Sequence, residues 1–359
     1  MARRKKLALL IPAHNEELVL EATVKSAMNA GQGIKDIYIV NDGSKDKTES
    51  IARRLVGRKN TITISQSGKA MALKKGADHF KLTKRYSWIH IADADGGFEP
   101  KYFNTLRKEL RVMYPAATGY VKSMPGSLIG AFRVVEYTWG MEFIRRFQAW
   151  FGLISVIPGP TSIFRADVFD SIEFGHKLLT EDFDFTLQLH RQKLGYIQFI
   201  PQAKVQTQDP ATFKDYLKQI KRWNRGTWQI IRFRKIGFGF QRIDAYLLFQ
   251  IIQNFLFFTV YALVLPYLAI HSHALTLVSV SFLYDVGLYW LIVGFAAHYT
   301  RRYDVLWAFP YLYIFRLVSI GVFMWTFFEV IILRKWKPTG AGHIGWDSQR
   351  QAISPADVL

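Results

Sequence analysis

The feature that most constrains the fold is a run of about 25 residues without a charge, 246–270, rich in Leu, Phe, Val, Ile and Tyr. A stretch of this length and composition is long enough to span a bilayer. A second span is predicted over 275–297, where Asp285 is the only charged residue. Residues 233–338 are therefore expected to form a membrane region of transmembrane α-helices, followed by a tail over 339–359.

A third apolar segment covers residues 305–333, but Pro310 and Arg316 interrupt it. The segment is too short for two crossings. As a single crossing it would carry the basic residues that follow it away from the cytosol, whereas basic residues tend to stay inside. We therefore predict a re-entrant or interfacial element there. By the same rule, Arg301 and Arg302 are expected on the cytosolic side.

Composition limits the classes of protein that remain. The chain has no cysteine, which excludes disulfides, thiolate metal sites and a cysteine nucleophile. Its net charge is +19, but it has no zinc-finger spacing and no aromatic–basic RNA motif. Basic clusters beside apolar spans favour an anionic membrane surface, so no nucleic acid partner is expected. A binding module without chemistry is the alternative class, and it predicts binding that depends on salt but not on metal.

The part of the chain before residue 233 alternates strand and helix patterns with short connections. Strands are predicted over 7–11, 37–40, 61–65 and 88–92. This alternation predicts an α/β domain over residues 1–232, with a mostly parallel, doubly wound sheet. The apolar run at the N-terminus is too short for a signal peptide, so we expect the domain on the cytosolic side of the plasma membrane.

Aromatic residues and scattered charges between residues 128 and 157 predict an amphipathic helix that lies on a membrane or on the domain. Pro158, Gly159 and Pro160 are expected to end this helix.

Two carboxylates, Asp93 and Asp95, follow the fourth predicted strand directly. In extended backbone, residues i and i+2 face the same side, and ligands bind at the carboxyl ends of strands in such sheets. Close carboxylates repel each other unless a cation is present, and Mg²⁺ or Mn²⁺ prefers oxygen ligands and substrate phosphates. The pair therefore indicates a metal–diphosphate site, although a polar turn after a strand is the alternative reading of one short motif.

Three further residues have both a chemical and an ordinary explanation. Asp42 follows the second strand and can accept from a base N–H or a ribose hydroxyl, but an Asx turn explains it as well. Lys69 opens a helix and can reach a phosphate, but a solvated lysine is common there. Asp182 stands at a helix start, where capping competes with catalysis.

Gln219, Arg222 and Trp223 are spaced i, i+3 and i+4 on a predicted helix, so they share one face. A basic amphipathic helix at a membrane is the alternative explanation for this pattern.

Together these stretches resemble the family 2 glycosyltransferases, the inverting GT-A group that includes cellulose, chitin and hyaluronan synthases. The pieces are Ile11–Glu16, Asn41–Ser44, Gly68–Ala70, Asp93–Gly96, Thr180–Asp182 and Gln219–Gly226. They occur in the family's order, and the resemblance covers about residues 7 to 230 and the helices that follow. It implies a GT-A domain, which is Rossmann-like, followed by interfacial and transmembrane helices.

The resemblance also implies roles for individual residues. Nucleotide-sugar binding is implied for Pro12, Ala13, Asn15, Asp42, Lys69, Asp93 and Asp95, with Asp95 and Asp93 at the divalent metal. Asp182 is implied as the general base. Binding of the diphosphate and the acceptor is implied for Gln219, Arg222, Trp223, Glu181 and Gly159.

The enzyme expected from these features is a membrane-integrated, metal-dependent hexosyltransferase that moves a sugar from a UDP-sugar to a glycan and builds a β-linked polysaccharide. Transfer of one sugar to a lipid (a ceramide, diacylglycerol or polyprenyl phosphate) is the alternative. Ile220 replaces the family's usual Gln or Arg, and the N-terminal membrane helices of the large synthases are missing. Few spans for a channel also oppose polymer synthesis, unless copies of the chain associate into a homo-oligomer.

Overall fold

The computed structural model of the chain describes residues 6–124, 127–175, 178–239, 241–271 and 274–335. These residues divide into two compact units, one of 6–124 and 143–210 and the other of 127–142 and 211–335. The compact division therefore falls at residue 210, upstream of the predicted boundary at 232, because the helix that follows residue 212 packs with the long apolar helices. The predicted division by function stays a prediction, and the tail 339–359 lies outside the described residues.

An eight-stranded sheet organises the described part of the first unit. Its strands are β1 Leu7–Ala13, β2 Ile37–Asp42, β3 Thr61–Ile64, β4 Trp88–Ile91, β5 Gly96–Phe98, β6 Ala116–Ser123, β7 Ser162–Arg165 and β8 Gln198–Thr207. Their order in space is β3-β2-β1-β4-β7-β6-β8-β5. The pairs β1–β2, β1–β4, β2–β3 and β6–β8 are parallel, and β7 and β5 run antiparallel to their neighbours. The predicted α/β fold with a mostly parallel sheet is confirmed.

Helices cover both faces of this sheet. They are α1 Leu20–Asn29, α2 Thr48–Val56, α3 Lys69–His79, α4 Leu82–Arg85, α5 Tyr102–Glu109, α7 Arg146–Phe151, α8 Ala166–Asp170 and α9 Glu181–Arg191. Alternate residues of β1 enter two different cores: Leu9 packs in the core with α1 and α5, and Leu10 packs in the core with α3. Burial on both faces explains why the strand is apolar throughout rather than alternating.

The strand order places the predicted acids at a point where the topology reverses. β1 has β2 on one side and β4 on the other, and all three strands run in the same direction. Their carboxyl ends therefore meet at one edge, where Asp42 ends β2 and Asp93 follows β4. Crevices at such a reversal are where open α/β sheets bind ligands.

The second unit is helical within its described residues. It contains α6 Leu128–Trp139, α10 Phe213–Phe233, α11 Arg242–Thr259, α12 Leu265–His271, α13 Leu275–Thr300, α14 Asp304–Trp307 and α15 Phe309–Phe327. Wide π-helical turns extend three of these helices over Gly140–Arg145, Val260–Val264 and Phe328–Ile332. One apolar core joins Phe132 of α6, Tyr216 of α10, Val293 of α13 and Leu312 of α15.

Three helices of this unit are long and apolar enough to cross a membrane: Arg242–His271, Leu275–Thr300 and Phe309–Ile332. The first two contain the predicted spans. Neither predicted interruption of the third segment breaks its helix. Pro310 stands in the first turn, where proline is tolerated, and Arg316 forms an ion pair with Asp285. Whether this helix crosses or re-enters stays a prediction.

The predicted amphipathic helix over 128–157 is corrected at its end. Helical structure runs from Leu128 to Phe151 and stops at Gly152, whose φ of +67° favours glycine. The ring of Tyr196 also lies 2.5 Å from where a Cβ at Gly152 would be. Residues 153–158 are not helical, so the helix ends before Pro158 and Pro160 rather than at them.

Candidate active site

The acidic turn after β4 is held from both sides. Asp95 is buried and Asp93 is partly exposed, and Gly96 then begins β5, which pairs with β8. The hydroxyl of Thr23 donates to the carbonyl oxygen of Ala94 at 2.6 Å. Backbone pairing on one side and a side-chain hydrogen bond on the other fix the two carboxylates at the end of the strand.

Lys69 connects this turn to the start of α9. Its Nζ lies 2.7 Å from Asp93 Oδ1 and 2.7 Å from Glu181 Oε1. Burial alone would lower the pKa of Lys69, but attraction to Asp93, Glu181 and Asp182 outweighs it and holds the pKa above its ordinary value. The ammonium therefore stays charged at physiological pH, and it stands between two loops that come from distant parts of the sequence.

The backbone of Gly159 lies directly against the Lys69–Asp93 ion pair. A Cβ added at Gly159 would lie 2.8 Å from Asp93 Oδ2 and 2.9 Å from Lys69 Nζ. Contacts this short require one of the groups to move, so the close approach itself explains the glycine. Thr161, at the end of the same turn, is anchored through a 2.9 Å hydrogen bond between its hydroxyl and that of Thr118.

Asp182 lies in the first turn of α9, beside this cluster. Its Oδ1 accepts from the backbone N–H of Phe183 at 2.8 Å. Burial, and then the charge of Glu181, raise the pKa of Asp182 to about 6, against the opposing influence of Lys69. A carboxylate that titrates near neutral pH is suited to accept a proton from a weak acid.

Thr186, one turn further along α9, ties this helix to the loop that carries Gly159. Its hydroxyl donates to the carbonyl oxygen of Asp182 at 2.7 Å and accepts from the N–H of Ile157 at 2.8 Å. Threonine on a helix gives no sequence signal for such a role, so this residue was not predicted.

Asp42 organises the turn that precedes Lys69. The carboxylate is fully buried, and it accepts from the N–H of Ser67 at 2.7 Å and from the N–H of Gly68 at 2.8 Å. The turn therefore stands at a fixed place before α3 begins. These contacts are within the protein, and the predicted contact of Asp42 with a uridine stays a prediction.

The residues predicted to line a base pocket lie at the same edge of the sheet. Pro12 and Ala13 are buried at the end of β1, next to β2. Asn15 is exposed with a φ of 55°, and its side-chain oxygen accepts from the N–H of Lys45 at 2.9 Å. His14 Nδ1 lies 2.7 Å from the carbonyl oxygen of Asp42, a contact that the sequence did not indicate.

In the second unit, Gln219, Arg222 and Trp223 lie on α10 and are partly exposed. Gln219 Oε1 accepts from Arg133 at 2.5 Å, and the Arg133 guanidinium stands 4.9 Å from the centre of the Trp223 indole. From sequence, Arg133 was only one of several charges on an amphipathic helix. Its burial was not predicted, because it depends on α10, which lies far along the chain.

The structure thus brings together Lys69, Asp93, Gly159, Glu181 and Asp182 in the first unit. Among the described residues, no three His, Asp or Glu side chains are arranged to hold a metal ion. Asp93 and Asp95 supply hard oxygen donors, and an ion bound to them needs further ligands from water or a diphosphate. That donor set suits Mg²⁺ or Mn²⁺, which keep waters and take substrate phosphates rather than all-protein cages.

A family model described as glycosyl transferase family group 2 matches residues 88–333 of the chain. The probable glycosyltransferase YdaM of Bacillus subtilis (strain 168) is 28% identical over an alignment of 259 residues that covers 64% of this chain and 57% of that protein. The poly-beta-1,6-N-acetyl-D-glucosamine synthase of Staphylococcus aureus (strain COL) is 25% identical over an alignment of 233 residues that covers 63% of this chain and 55% of that protein. The chain spans little more than half the length of these relatives.

The fold is similar to that of a solved mannosyltransferase, PcManGT from Pyrobaculum calidifontis in complex with GDP-Man and Mn²⁺. The TM-score is 0.58 with 14% sequence identity, and the match covers 90% of this chain and 88% of that one. At this identity the likeness concerns the fold, and the predicted GT-A architecture is confirmed.

Proposed function

The chain belongs to glycosyl transferase family group 2, and on that premise we propose that it transfers a sugar from a UDP-linked donor to a glycan, with inversion at the anomeric carbon. The observation that carries the proposal is the ion-paired cluster of Lys69, Asp93 and Glu181, with Asp182 beside it. This cluster combines a fixed positive charge with a carboxylate that can accept a proton near neutral pH.

Asp182 is the proposed general base. A sugar hydroxyl is a poor nucleophile, and removal of its proton during attack contributes typically about 10²–10⁴-fold to the rate. Attack from the face opposite the leaving diphosphate inverts the anomeric carbon, so an α-linked donor gives a β-linked product. The pKa of about 6 leaves most of Asp182 ionised at neutral pH and still basic enough to take the proton.

The leaving UDP carries concentrated negative charge, which the proposed site must stabilise. Lys69 keeps its proton and is held in place by two carboxylates, so its charge is available without reorganisation. Arg222, in the second unit, stays a sequence-based prediction for diphosphate binding. A divalent ion bound by Asp95 and Asp93 would supply Lewis-acid stabilisation of the phosphate oxygens.

The acceptor is proposed to be the end of a β-linked glycan. Gln219 offers an amide, and Trp223 offers an apolar ring face on which a sugar can stack. The S. aureus relative, whose name describes a synthase of a β-1,6-linked N-acetylglucosamine polymer, supports a glycan acceptor. We propose that the three long apolar helices hold the enzyme in the plasma membrane with the first unit in the cytosol.

The test is a panel of radiolabelled UDP-N-acetylglucosamine, UDP-glucose, UDP-glucuronic acid and GDP-mannose on the full chain in lipid nanodiscs. Each reaction is run with Mn²⁺, with Mg²⁺ and with EDTA, and the products are sized and treated with β-specific glycosidases. We expect a ladder of β-linked products from one UDP-sugar, dependent on the metal.

Other outcomes of this panel would contradict the proposal. Turnover of GDP-mannose alone would show that the donor is not UDP-linked. Products with an α linkage would show that the reaction does not invert the anomeric carbon. A single labelled band that extracts into organic solvent would replace the glycan acceptor with a lipid. Asp182→Asn is the matched control, since it should bind UDP as the parent does but give no transfer.

A further inference from the structure

Arg133 has an environment that no role assigned so far explains. Its side chain is 3% exposed, on a helix face that also buries Ile129 and Phe132. Burying a guanidinium is costly unless it is paired and hydrogen-bonded, so its partners account for its position. They come from its own helix and from α10, and both helices belong to the same compact unit.

The partners on α10 include two of the three residues proposed to meet the acceptor or diphosphate. One terminal nitrogen of Arg133 donates to Gln219 Oε1 at 2.5 Å, and the other donates to Glu136. The guanidinium carbon lies 4.9 Å from the centre of the Trp223 ring and 5.0 Å from that of Tyr216. A single planar cation therefore contacts both Gln219 and Trp223.

The chemistry of a guanidinium determines what these contacts do. It has donors and no acceptor, so it binds the oxygen of the Gln219 amide and leaves Nε2 as the end that can donate to a hydroxyl. Over Trp223 it stands against one face of the indole by a cation–π contact. The opposite face is then the one that can stack on a sugar ring.

We propose that Arg133 is a positioning residue for acceptor binding, which sets the amide direction of Gln219 and the ring face of Trp223 that can stack on a sugar. The inference rests on the proposed function for its consequence in catalysis. It rests on the observed contacts alone for its effect on the two side chains. The two parts are tested by separate measurements.

The first measurement is hydroxyl-radical labelling of Trp223 in the full chain in nanodiscs, read by mass spectrometry. Trypsin cuts after Arg222 and Arg225 and isolates this tryptophan in its own peptide. Arg133→Met keeps an unbranched side chain about as long as the aliphatic stem of arginine and removes the cation, so we expect labelling of Trp223 to rise several-fold, with a smaller rise in Arg133→Lys. Unchanged labelling in folded Arg133→Met would overturn the proposal, whatever the substrate is.

Arg165→Met is the matched control. Arg165 forms a forked pair with Asp167 on the first unit, at the opposite end of β4 from the acidic turn. The same chemical change there removes an arginine fork without touching α10. Labelling of Trp223 and activity should stay at the parental level, and a rise equal to that in Arg133→Met would show a non-specific effect and overturn the proposal.

The second measurement uses UDP-N-acetylglucosamine and a β-1,6-linked N-acetylglucosamine tetrasaccharide. We expect Arg133→Met to raise the KM for the tetrasaccharide about tenfold and to leave UDP affinity unchanged. In a double-mutant cycle, Arg133→Met should add little to Trp223→Ala, because both remove the same platform. Fully additive losses would overturn a role through Trp223. Absence of turnover by the parent protein with this donor and with the other UDP-sugars of the panel would count against the proposed function, while the labelling result would still decide the role of Arg133.

Discussion

At the scale of single residues, Lys69 and Asp182 show how one cluster supports two opposite charge states. Carboxylates around Lys69 raise its pKa, so it keeps its proton, whereas burial and Glu181 raise the pKa of Asp182 to about 6. A permanent cation and a titratable base therefore stand side by side. Proton transfer needs a group that can gain and lose a proton, and charge stabilisation needs a group that stays charged, so the two residues suit these two tasks.

The pH dependence of transfer follows from the pKa of Asp182. Only the ionised form acts as a base, so we expect kcat/KM to fall about tenfold per pH unit below about pH 6 and to level off above it. Asp182→Asn should lower kcat by about 10²–10⁴-fold at neutral pH and leave UDP affinity unchanged. If the residual turnover of Asp182→Asn still falls below about pH 6 as it does in the parent protein, Asp182 is not the base.

The same pKa predicts a stability effect of opposite sign. The folded pKa is higher than the ordinary value of 3.8, so the folded state holds the proton more tightly than the unfolded state. The free energy of unfolding should therefore decrease as pH rises through the interval between these two values. Asp182→Asn should raise the unfolding midpoint at pH 8 and not at pH 4, as measured by differential scanning fluorimetry.

Gly159→Ala should damage the donor site without unfolding the protein. The added methyl would lie within 3 Å of both Asp93 and Lys69, and such overpacking costs about 1–3 kcal/mol. We expect weaker UDP binding by isothermal titration in the presence of Mn²⁺. Gly140→Ala is the control, since a Cβ there meets no atom of the described residues within 4 Å, and equal losses in both variants would contradict the packing argument.

At the scale of elements, local patterns predicted most of the helices and strands around the site, and non-local contacts decided the rest. α3 begins at Lys69, which was predicted to open a helix, and α9 begins at Glu181, next to Asp182, which was predicted at a helix start. The first helix begins at Leu20, and Asn15 lies outside it with a φ of 55° and its backbone N–H donating to the Ser44 hydroxyl at 3.0 Å.

The strands that complete the sheet beyond β7 were not predicted. β5, β6 and β8 pair across distances in the sequence that no local pattern reports, and β5 contains two glycines in three residues. The burial of Arg133 was likewise decided by α10, a partner far along the chain. Local propensity therefore placed the chemical groups at the ends of elements, but tertiary pairing decided which of them meet.

The pair between α13 and α15 yields a prediction about these two elements. Arg316 forms two hydrogen bonds with the carboxylate of Asp285, at 2.9 and 3.0 Å, and Tyr313 donates to the same carboxylate at 2.6 Å. Asp285→Leu leaves the arginine without its partner among apolar helices, so we expect a loss of about 3–5 kcal/mol. Thermal unfolding in nanodiscs measures it.

The double variant Asp285→Leu/Arg316→Leu should recover much of that loss, because it leaves no isolated charge. A double variant that is as unstable as the sum of the two single ones would show that the pair contributes more than mutual neutralisation.

At the scale of the whole molecule, the absence of cysteine makes the topology directly measurable. Lys59 in the first unit and Tyr303, between the second and third long helices, are both exposed. Each can therefore be replaced by a single cysteine, as Lys59→Cys or Tyr303→Cys. We expect an impermeant thiol reagent to label both from the cytosolic face of membrane vesicles. Labelling from opposite faces would contradict the predicted orientation, and the parent chain gives the background.

The ion-paired cluster around Lys69 also has a consequence for how a donor enters. Above about pH 6, Asp93, Glu181 and the ionised Asp182 carry three negative charges against one positive charge on Lys69, so the cluster has a net negative charge. A bare pyrophosphate meets repulsion on arrival, whereas its salt with a divalent cation arrives with most of that repulsion cancelled. The rate of the enzyme would thus depend on the concentration of the metal-bound donor rather than on the total donor concentration. Its rate in a cell would follow free magnesium or manganese as closely as it follows the sugar nucleotide.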